Sequence, residues 1–255
     1  MCYKKLILIF RKFCFLYLPK LGQMNTAAYL YIILGLLEIV AEYLTNDPLR
    51  FATKPLLMPV LIWFYVLSLS GTMSKIHRFM LISFVFSWVG DVALMFVGMN
   101  PNFFLLGLVG FLITHLFYAV AFTHVVDKNA IPLLKQKIWI AIPLAIYFAG
   151  LIAVVFPAVE AAMKIPVAIY SIVIATMVLF AINRYGRVSD TSFALVMSGV
   201  FLFMFSDSLI ALNKFLYKDK LPFAGVLIML LYIAGQYLIA KGMLGNDEVN
   251  SKTIA

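Results

Sequence analysis

Long apolar runs separated by short polar segments dominate the chain. Eight mostly apolar windows can be drawn, at residues 26–44, 55–71, 77–97, 102–125, 138–156, 163–183, 192–216 and 221–243. A helix needs about 20 such residues to cross the hydrocarbon core of a bilayer. Membrane β-strands would instead show segments of about ten residues with alternating polarity. The pattern therefore predicts an all-α, polytopic membrane protein with about eight transmembrane helices.

The composition agrees with this interpretation. Hydrophobic residues make up 64% of the 255 residues and charged residues 12%, whereas a soluble domain has roughly half apolar and about a quarter charged residues. The net charge of +9 suits anionic lipid headgroups. The Lys and Arg residues lie between the apolar windows and form no single basic stripe, so we expect the bilayer as a partner and no nucleic acid.

Three regions follow from the polarity pattern. Residues 1–23 form a basic N-terminal extension, in which an apolar run is interrupted by Arg11 and Lys12. This extension is either an interfacial or signal-like helix, or it precedes a true start at Met24. Residues 24–243 form the predicted membrane domain, and residues 244–255 form a polar C-terminal tail.

The basic residues also indicate an orientation. With the N-terminus inside, the cytoplasmic segments hold 14 Lys and Arg residues and the outer segments hold 6; without residues 1–23 the numbers are 9 and 6. Cytoplasmic loops carry an excess of basic residues. We therefore predict a multi-pass integral membrane protein with both termini in the cytoplasm, in the cytoplasmic (inner) membrane if the chain is bacterial.

Two halves of the chain share features four spans apart. These are Lys54-Pro55 and Lys164-Ile165-Pro166 at the starts of spans two and six, and Gly90-Asp91 and Ser206-Asp207 within spans three and seven. Such spacing predicts two parallel four-helix repeats. A chance similarity in so biased a composition is the alternative.

Asp91 and Asp207 stand more than one turn inside otherwise apolar spans. Because a charge in a bilayer is costly, intramembrane carboxyl groups usually face the interior of the bundle or a wet cavity. We expect the two aspartates to meet in one cavity in the outer half of the membrane. Two neighbouring carboxyl groups can divide the roles of acid and base between them. Helix–helix hydrogen bonding by a protonated aspartate is the alternative.

Other polar residues lie on the same helical faces. Ser87 shares a face with Asp91, His115 with Tyr118, and Tyr232 with Gln236. Each is either a lining group of the cavity or a core group whose hydrogen bonds are satisfied. Glu38 and Glu42, near the outer end of the first span, are expected to be neutralised by Arg50 and Lys54. The sequence contains no nucleophile elbow, phosphate-binding glycine loop or Cys/His metal signature, and we predict no cofactor and no metal.

These stretches resemble the YhhN family. The matching segments are Thr53-Lys54-Pro55-Leu56, residues 86–95 around Asp91, Gly110-Phe111 with His115 and Tyr118, residues 205–213 around Asp207, and Tyr232 with residues 236–240. Together they extend over about residues 25–243, and residues 1–23 depart from the pattern. The resemblance implies an eight-helix fold and, as in animal members, hydrolysis of the vinyl ether bond of a lysophospholipid, the lysoplasmalogen.

Carried over by position, Asp91 and Asp207 would be the catalytic acid–base couple. The residues expected to bind substrate or line the site are Lys54, Ser87, His115, Tyr118, Ser206, Asn213, Tyr232 and Gln236. Lys54 would pair with the substrate phosphate or with a carboxylate. A proton-coupled transporter and a non-catalytic membrane component, in which the aspartates only join helices, are the competing hypotheses. The sequence indicates neither an oligomeric state nor which aspartate is the acid.

Overall fold

The computed structural model describes residues 25–69, 72–124, 127 and 129–252, with side chains up to residue 245. In this part of the chain, eight helical segments are long and apolar enough to cross a membrane, which confirms the predicted fold class. The helices are α1 (Thr26–Tyr43), α2 (Asp47–Leu67), α3 (Lys75–Met95), α4 (Asn102–Thr123), α5 (Ile142–Val155), α6 (Ala161–Ile182), α7 (Asp190–Ala211) and α8 (Ala224–Lys252).

Short irregular turns complete the elements. One helical turn (Leu133–Gln136) precedes α5, 3₁₀ turns flank α5 at Ile138–Ala141 and Phe156–Ala158, and a π-helical turn (Leu212–Leu216) follows α7. The predicted extension at residues 1–23 lies outside the described residues. Helix α8 continues into the segment 244–255 that was predicted as a polar tail.

Helix α2 begins earlier than the sequence predicted. Its first residue is Asp47, and Asn46 caps it, because the Asn46 side chain accepts a hydrogen bond of 3.0 Å from the backbone N–H of Leu49. Pro48 fits the first turn, where an N–H is not needed. Pro55, expected near the start of the span, therefore lies in the interior of the helix.

Pro59 in α2 leaves a backbone carbonyl group without its helical donor, and a side chain of α3 supplies one. Pro59 has no N–H, so the carbonyl oxygen of Pro55, four residues earlier, lacks its helical partner. The indole N–H of Trp88 donates a hydrogen bond of 2.8 Å to this oxygen. Since lipid offers no donors, a backbone carbonyl in a span needs such an internal partner. Trp88 thus fixes α3 against α2.

Glycines allow two pairs of helices to cross closely. A Cβ atom on Gly110 would lie 2.9 Å from the backbone nitrogen of Gly90, so α3 and α4 touch backbone to backbone. A Cβ atom on Gly199 would lie 2.7 Å from the carbonyl oxygen of Gly235, where α7 crosses α8. Small residues at the crossing are typical of helix association in membranes.

Helix packing repeats between the two halves. The contacts α1–α2, α2–α3 and α3–α4 have counterparts in α5–α6, α6–α7 and α7–α8, and the contact α4–α6 has its counterpart in α8–α2. Two parallel four-helix repeats would give this pattern, whereas the contact α1–α8 has no counterpart of similar extent between α4 and α5. The halves differ at α5, because only 11% of its span is buried, against 33–56% for the other spans.

The connection between α6 and α7 contains a buried cation. Arg184 donates a hydrogen bond of 2.8 Å to Ser192, whose hydroxyl donates to the carbonyl oxygen of Gly242 at 2.6 Å. Its guanidinium carbon lies 5.7 Å from the ring centroid of Phe122. Burial lowers the pKa of Arg184 to about 10, so the group remains charged at neutral pH. Arg184 therefore joins α4, α7 and α8 at this end of the bundle.

Candidate active site

Asp207 on α7 is contacted by two polar side chains from other helices. Tyr170 on α6 donates a hydrogen bond of 3.0 Å to Oδ2 of Asp207. Nε2 of His115 on α4 lies 3.1 Å from the same oxygen, within the distance of an ion pair but without hydrogen-bond alignment. Both His115 and Asp207 are buried. Three helices thus converge on one carboxyl group, which we call the Asp207 centre.

The contacts of His115 indicate which of its ring nitrogens carries a hydrogen. Its Nδ1 lies 2.5 Å from the carbonyl oxygen of Phe111, one turn earlier in α4. Because a carbonyl oxygen only accepts, Nδ1 must carry a hydrogen. A bare Nε2 beside an ionised Asp207 would place two lone pairs in repulsive contact. A hydrogen on Nε2 or on the carboxyl group would remove this repulsion, so the contact suits a shared proton.

Asp91 on α3 ends a directed chain of hydrogen bonds. Tyr118 donates to the side-chain oxygen of Gln236, and Gln236 donates to the hydroxyl of Ser87 at 2.7 Å. Tyr232 donates to Oδ2 of Asp91 at 2.5 Å, which spends its only proton. Ser87 must therefore donate to Tyr232 across 2.8 Å. With Tyr232 as the donor to Asp91, every hydrogen bond of the chain points toward this carboxyl group, an arrangement that favours its charged form; this group is the Asp91 centre.

Buried charges on α1 and α2 lie near the Asp91 centre. The charge of Lys54 acts on both Asp91 and Glu38, and Lys54 is itself buried. Thr53 donates a hydrogen bond of 2.5 Å to Glu38. Arg50 forms the predicted ion pair with Glu42, with Nε and Oε1 3.0 Å apart. Lys54 therefore lies where its charge acts on two carboxyl groups, and its role stays a prediction.

Phe203 contacts both centres. The centroid of its ring lies 4.8 Å from that of His115 and 5.4 Å from that of Tyr232. Among the described residues, no hydrogen bond or ion pair joins Asp91 directly to Asp207. The two aspartates thus belong to separate polar groups, and the ring of Phe203 packs against both groups.

A largely apolar pocket with a cavity volume of about 50 Å³ lies beside Asp207. Its polar lining consists of Tyr170, Ser171, Asp207 and Ser208, and Tyr147 holds Ser208 by a hydrogen bond of 2.7 Å. The apolar lining comprises Leu94, Phe104, Leu108, Phe111, Phe148, Leu151, Val167, Ile174, Ile210, Ala211 and Phe215. Asp91 does not line this pocket, which departs from the expectation of one cavity shared by both aspartates. The apolar lining suits an acyl or alkenyl chain, and the cavity would have to widen to hold one.

A second, more polar pocket lies at the C-terminal end of α7. It is lined by Leu94, Val97, Phe104, Ile210, Asn213, Lys214, Asp219 and Ile228. Three of these residues also line the apolar pocket, namely Leu94, Phe104 and Ile210. The two pockets are therefore adjacent, and we call the second one the polar mouth.

The structure groups most of the predicted site residues and separates others. His115 joins the Asp207 centre, whereas Ser87, Tyr118, Tyr232 and Gln236 join the Asp91 centre. Ser206 instead donates to the carbonyl oxygen of Ile228 at 3.0 Å, which joins α7 to α8. Asn213 lies at the polar mouth. Among the described residues, His, Cys, Asp and Glu form no group of three that could hold a metal ion.

Sequence reasoning missed Tyr147, Tyr170 and Ser208. A signal was present for two of them: Tyr170 is a hydrogen-bonding aromatic residue in an aliphatic span, and Ser208 follows Asp207 directly. A buried tyrosine hydroxyl usually has a partner. Tyr147, on the lipid-exposed α5, carried no comparable signal.

Comparison with known proteins places the chain in a family. The model of the YhhN family matches residues 49–243, which include both centres. Human lysoplasmalogenase TMEM86A is 29% identical over 170 residues, or 66% of this chain and 65% of the human protein. The matched region thus spans slightly less than two thirds of that relative, and no solved structure matches the chain. With most of its length matched by the family model, this chain belongs to the YhhN family.

Proposed function

We propose that the chain is a membrane-embedded lysolipid hydrolase of the lysoplasmalogenase type. It would cleave the vinyl ether bond of a lysoplasmalogen into a fatty aldehyde and a glycerophospho-base. The proposal is supported by the family and by the similarity to the human lysoplasmalogenase. The observation that carries it is the buried pair of His115 and Asp207, in which Asp207 lines an apolar pocket.

Vinyl ether hydrolysis begins with a proton transfer to carbon. The acid protonates the β-carbon of the C=C–O unit, and the electrons of the double bond form the new C–H bond, which leaves an oxocarbenium ion. Water then adds to the cationic carbon and loses a proton to a base. The resulting hemiacetal breaks its bond to the glycerol oxygen, which gives the aldehyde and the free alcohol. The overall reaction consumes one water molecule and needs one acid–base group.

The Asp207 centre supplies this group. The proton held between Asp207 and His115 would go to the β-carbon, and the same pair, once deprotonated, would accept a proton from the attacking water. Tyr170 keeps Oδ2 of Asp207 in place through its hydrogen bond. General acid–base assistance of this kind contributes typically about 10²–10⁴-fold to a rate.

Asp91 would act at a distance. It does not line the apolar pocket, and its hydrogen bonds favour the ionised form. A fixed negative charge in a region of low dielectric constant stabilises a developing cation. We therefore assign the acid to Asp207 with His115, and the electrostatic stabiliser of the oxocarbenium ion to Asp91.

The test is aldehyde release by the purified protein in lipid nanodiscs. A 1-alkenyl lysophospholipid should yield aldehyde, whereas the matching 1-alkyl lysophospholipid should yield none, because it has no double bond to protonate. In D₂O the aldehyde should carry one deuterium on the carbon next to the carbonyl group. Absence of aldehyde from a panel of 1-alkenyl lysolipids would overturn the proposal.

Two outcomes would favour the competing hypotheses. Flux of a small molecule driven by a pH gradient in proteoliposomes, without lipid turnover, would indicate a transporter. Transporter sites are typically built on broken helices, whereas α3 and α7 continue without interruption through Asp91 and Asp207. Full cellular function in the double Asp91→Asn, Asp207→Asn variant would indicate a non-catalytic component.

A further inference from the structure

The polar mouth contains one cation and one anion side by side. Nζ of Lys214 lies 2.9 Å from Oδ2 of Asp219, and both side chains are partly exposed. Nζ also lies 5.5 Å from the ring centroid of Phe104, a residue that lines both pockets. The charged pair therefore lies in the pocket that shares Phe104 with the apolar pocket.

We propose that Lys214 and Asp219 bind the zwitterionic headgroup of the lysolipid, with the phosphate on Lys214 and the ammonium group on Asp219. This assignment rests on the proposed function and names the substrate class of that site. It also moves the phosphate partner away from Lys54, which lines neither pocket and lies near two buried carboxylates.

The distance along α7 fits a lysolipid. Lys214 follows Asp207 by seven residues, which corresponds to about 10 Å along a helix. Five bonds separate the ether oxygen on the first glycerol carbon from the phosphorus atom, a span of roughly 6 Å when extended. A phosphate oxygen and a hydrogen bond of about 2.8 Å to an ammonium group cover most of the rest. A vinyl ether held at Asp207 would thus bring its phosphate to Lys214.

The local backbone holds the pair at the mouth. Asp219 has a left-handed backbone conformation with φ of 63°, and its N–H donates a hydrogen bond of 2.8 Å to the carbonyl oxygen of Asn213. The side chain of Asn213 accepts a second bond, of 3.1 Å, from the N–H of Leu221. Asn213 and Lys214 lie in the π-helical turn, an element that is frequent at functional sites. Asn213, predicted as a lining residue, therefore positions the loop that carries Asp219.

The chemistry of the pair explains why it can open for a ligand. An exposed ion pair contributes little stability, because water already solvates both groups. When a zwitterionic ligand binds, its phosphate would take the place of Asp219 beside Lys214. Its ammonium group would take the place of Lys214 beside Asp219. The charges of the mouth remain balanced in both states, so a zwitterionic headgroup fits better than a purely anionic one.

The experiment measures equilibrium binding of non-hydrolysable radiolabelled ligands to the purified full-length protein in detergent. The ligands are 1-alkyl lysophosphatidylethanolamine, 1-alkylglycerol 3-phosphate and 1-alkylglycerol, which share one chain and differ only in the headgroup. Lys214→Gln should weaken binding of both phosphate ligands about tenfold, the value of one charged hydrogen bond at a partly exposed site. Binding of 1-alkylglycerol should not change, and Lys214→Arg should restore most of the affinity.

Asp219→Asn tests the proposed partner of the ammonium group separately from the partner of the phosphate. This variant should weaken binding of the ethanolamine ligand only, because it removes the partner of the ammonium group and leaves Lys214 free for phosphate. Lys220→Gln, a neighbouring exposed lysine outside the pocket, is the matched control and should behave as wild type. Equal affinity of the wild type and Lys214→Gln for all three ligands would overturn the inference. An equal loss for all three would overturn it as well, because the effect would not depend on the headgroup.

The binding experiment and the aldehyde assay test the headgroup site and the hydrolase separately. Headgroup-dependent binding without aldehyde release would contradict the proposed hydrolase while retaining the lysolipid site. Aldehyde release with unaltered binding in Lys214→Gln would retain the hydrolase and contradict the headgroup site.

Discussion

Nε2 of His115 and Oδ2 of Asp207 lie 3.1 Å apart, although the two residues are 92 positions apart in the chain and belong to different halves of the fold. Neither group is exposed to solvent. Breaking a buried ion pair by removing one partner leaves the other uncompensated. The catalytic and the structural roles of this pair must therefore be separated by measurement.

Replacing His115 should affect the chemical step. His115→Gln removes the ring that shares the proton with Asp207, and we expect kcat for aldehyde release to fall about 10²-fold or more. His124→Gln is the control, since His124 ends α4 away from both centres. Both variants should keep the elution volume of the wild type on size exclusion. Wild-type kcat in His115→Gln would contradict the assigned acid.

The two aspartates should differ in the size of their effects. Asp207→Asn removes the proposed acid, so aldehyde release should fall by about 10³-fold or more. Asp91→Asn removes only a fixed charge, and kcat should fall about tenfold with KM unchanged. Steady-state kinetics on a 1-alkenyl lysolipid would measure both. A larger loss in Asp91→Asn than in Asp207→Asn would reverse the assignment.

Tyr232→Phe tests the directed hydrogen-bond chain. The variant removes the donor to Asp91 and the acceptor of Ser87, so the charge at Asp91 should be less well positioned and kcat should fall about tenfold. Tyr185→Phe, at an exposed position between α6 and α7, should have no effect. Unchanged kcat in Tyr232→Phe would show that the chain contributes only to packing.

The bond between Trp88 and Pro55 can be tested by a double-mutant cycle. Trp88→Phe leaves the carbonyl oxygen of Pro55 without a donor and should cost about 1–3 kcal/mol of stability. Pro59→Ala restores an N–H that can bond the same carbonyl within α2. Thermal unfolding should therefore show a smaller cost of Trp88→Phe in the Pro59→Ala background. Equal costs in the two backgrounds would mean that Trp88 stabilises by packing alone.

Gly110→Ala should weaken the crossing of α3 and α4. Its Cβ atom would lie 2.9 Å from the backbone nitrogen of Gly90, and a backbone atom cannot rotate away. Overpacking of this kind costs about 1–3 kcal/mol. Gly150→Ala is the matched control, because nothing lies within 4 Å of a Cβ atom there, and alanine should raise the stability by up to about 1 kcal/mol. Apparent melting temperatures in one detergent would rank the two variants.

Sequence patterns were sufficient to predict the spans because a span depends only on residues that are close together in the chain. The apolar runs, prolines and capping residues that define α1 to α8 lie within about 25 residues of one another. The start of α2 was misplaced because Pro55 was read as a boundary, whereas the cap at Asn46 begins the helix two turns earlier. Proline is tolerated inside a membrane helix when another helix bonds the freed carbonyl, as Trp88 does.

The site was only partly predictable because pairing depends on tertiary packing. The exceptional polarity of Asp91, Asp207 and His115 inside apolar spans was visible in the sequence. Which of them pair was not visible, and the expectation that the aspartates share a cavity came from their equivalent places in the repeats. Tyr170 was missed since 13 tyrosines occur in the chain, and only the packing of α6 against α7 distinguishes it.

The adjacency of the apolar pocket and the polar mouth has a consequence for what happens after hydrolysis. In the proposed reaction, the fatty aldehyde is lipid-soluble and would leave sideways past the thinly packed α5 into the bilayer. The glycerophospho-base is water-soluble and would leave past Lys214 and Asp219. A hydrolase with this geometry sends its two products into different phases. Separate exits would clear both products from the site and would thereby limit inhibition by either product.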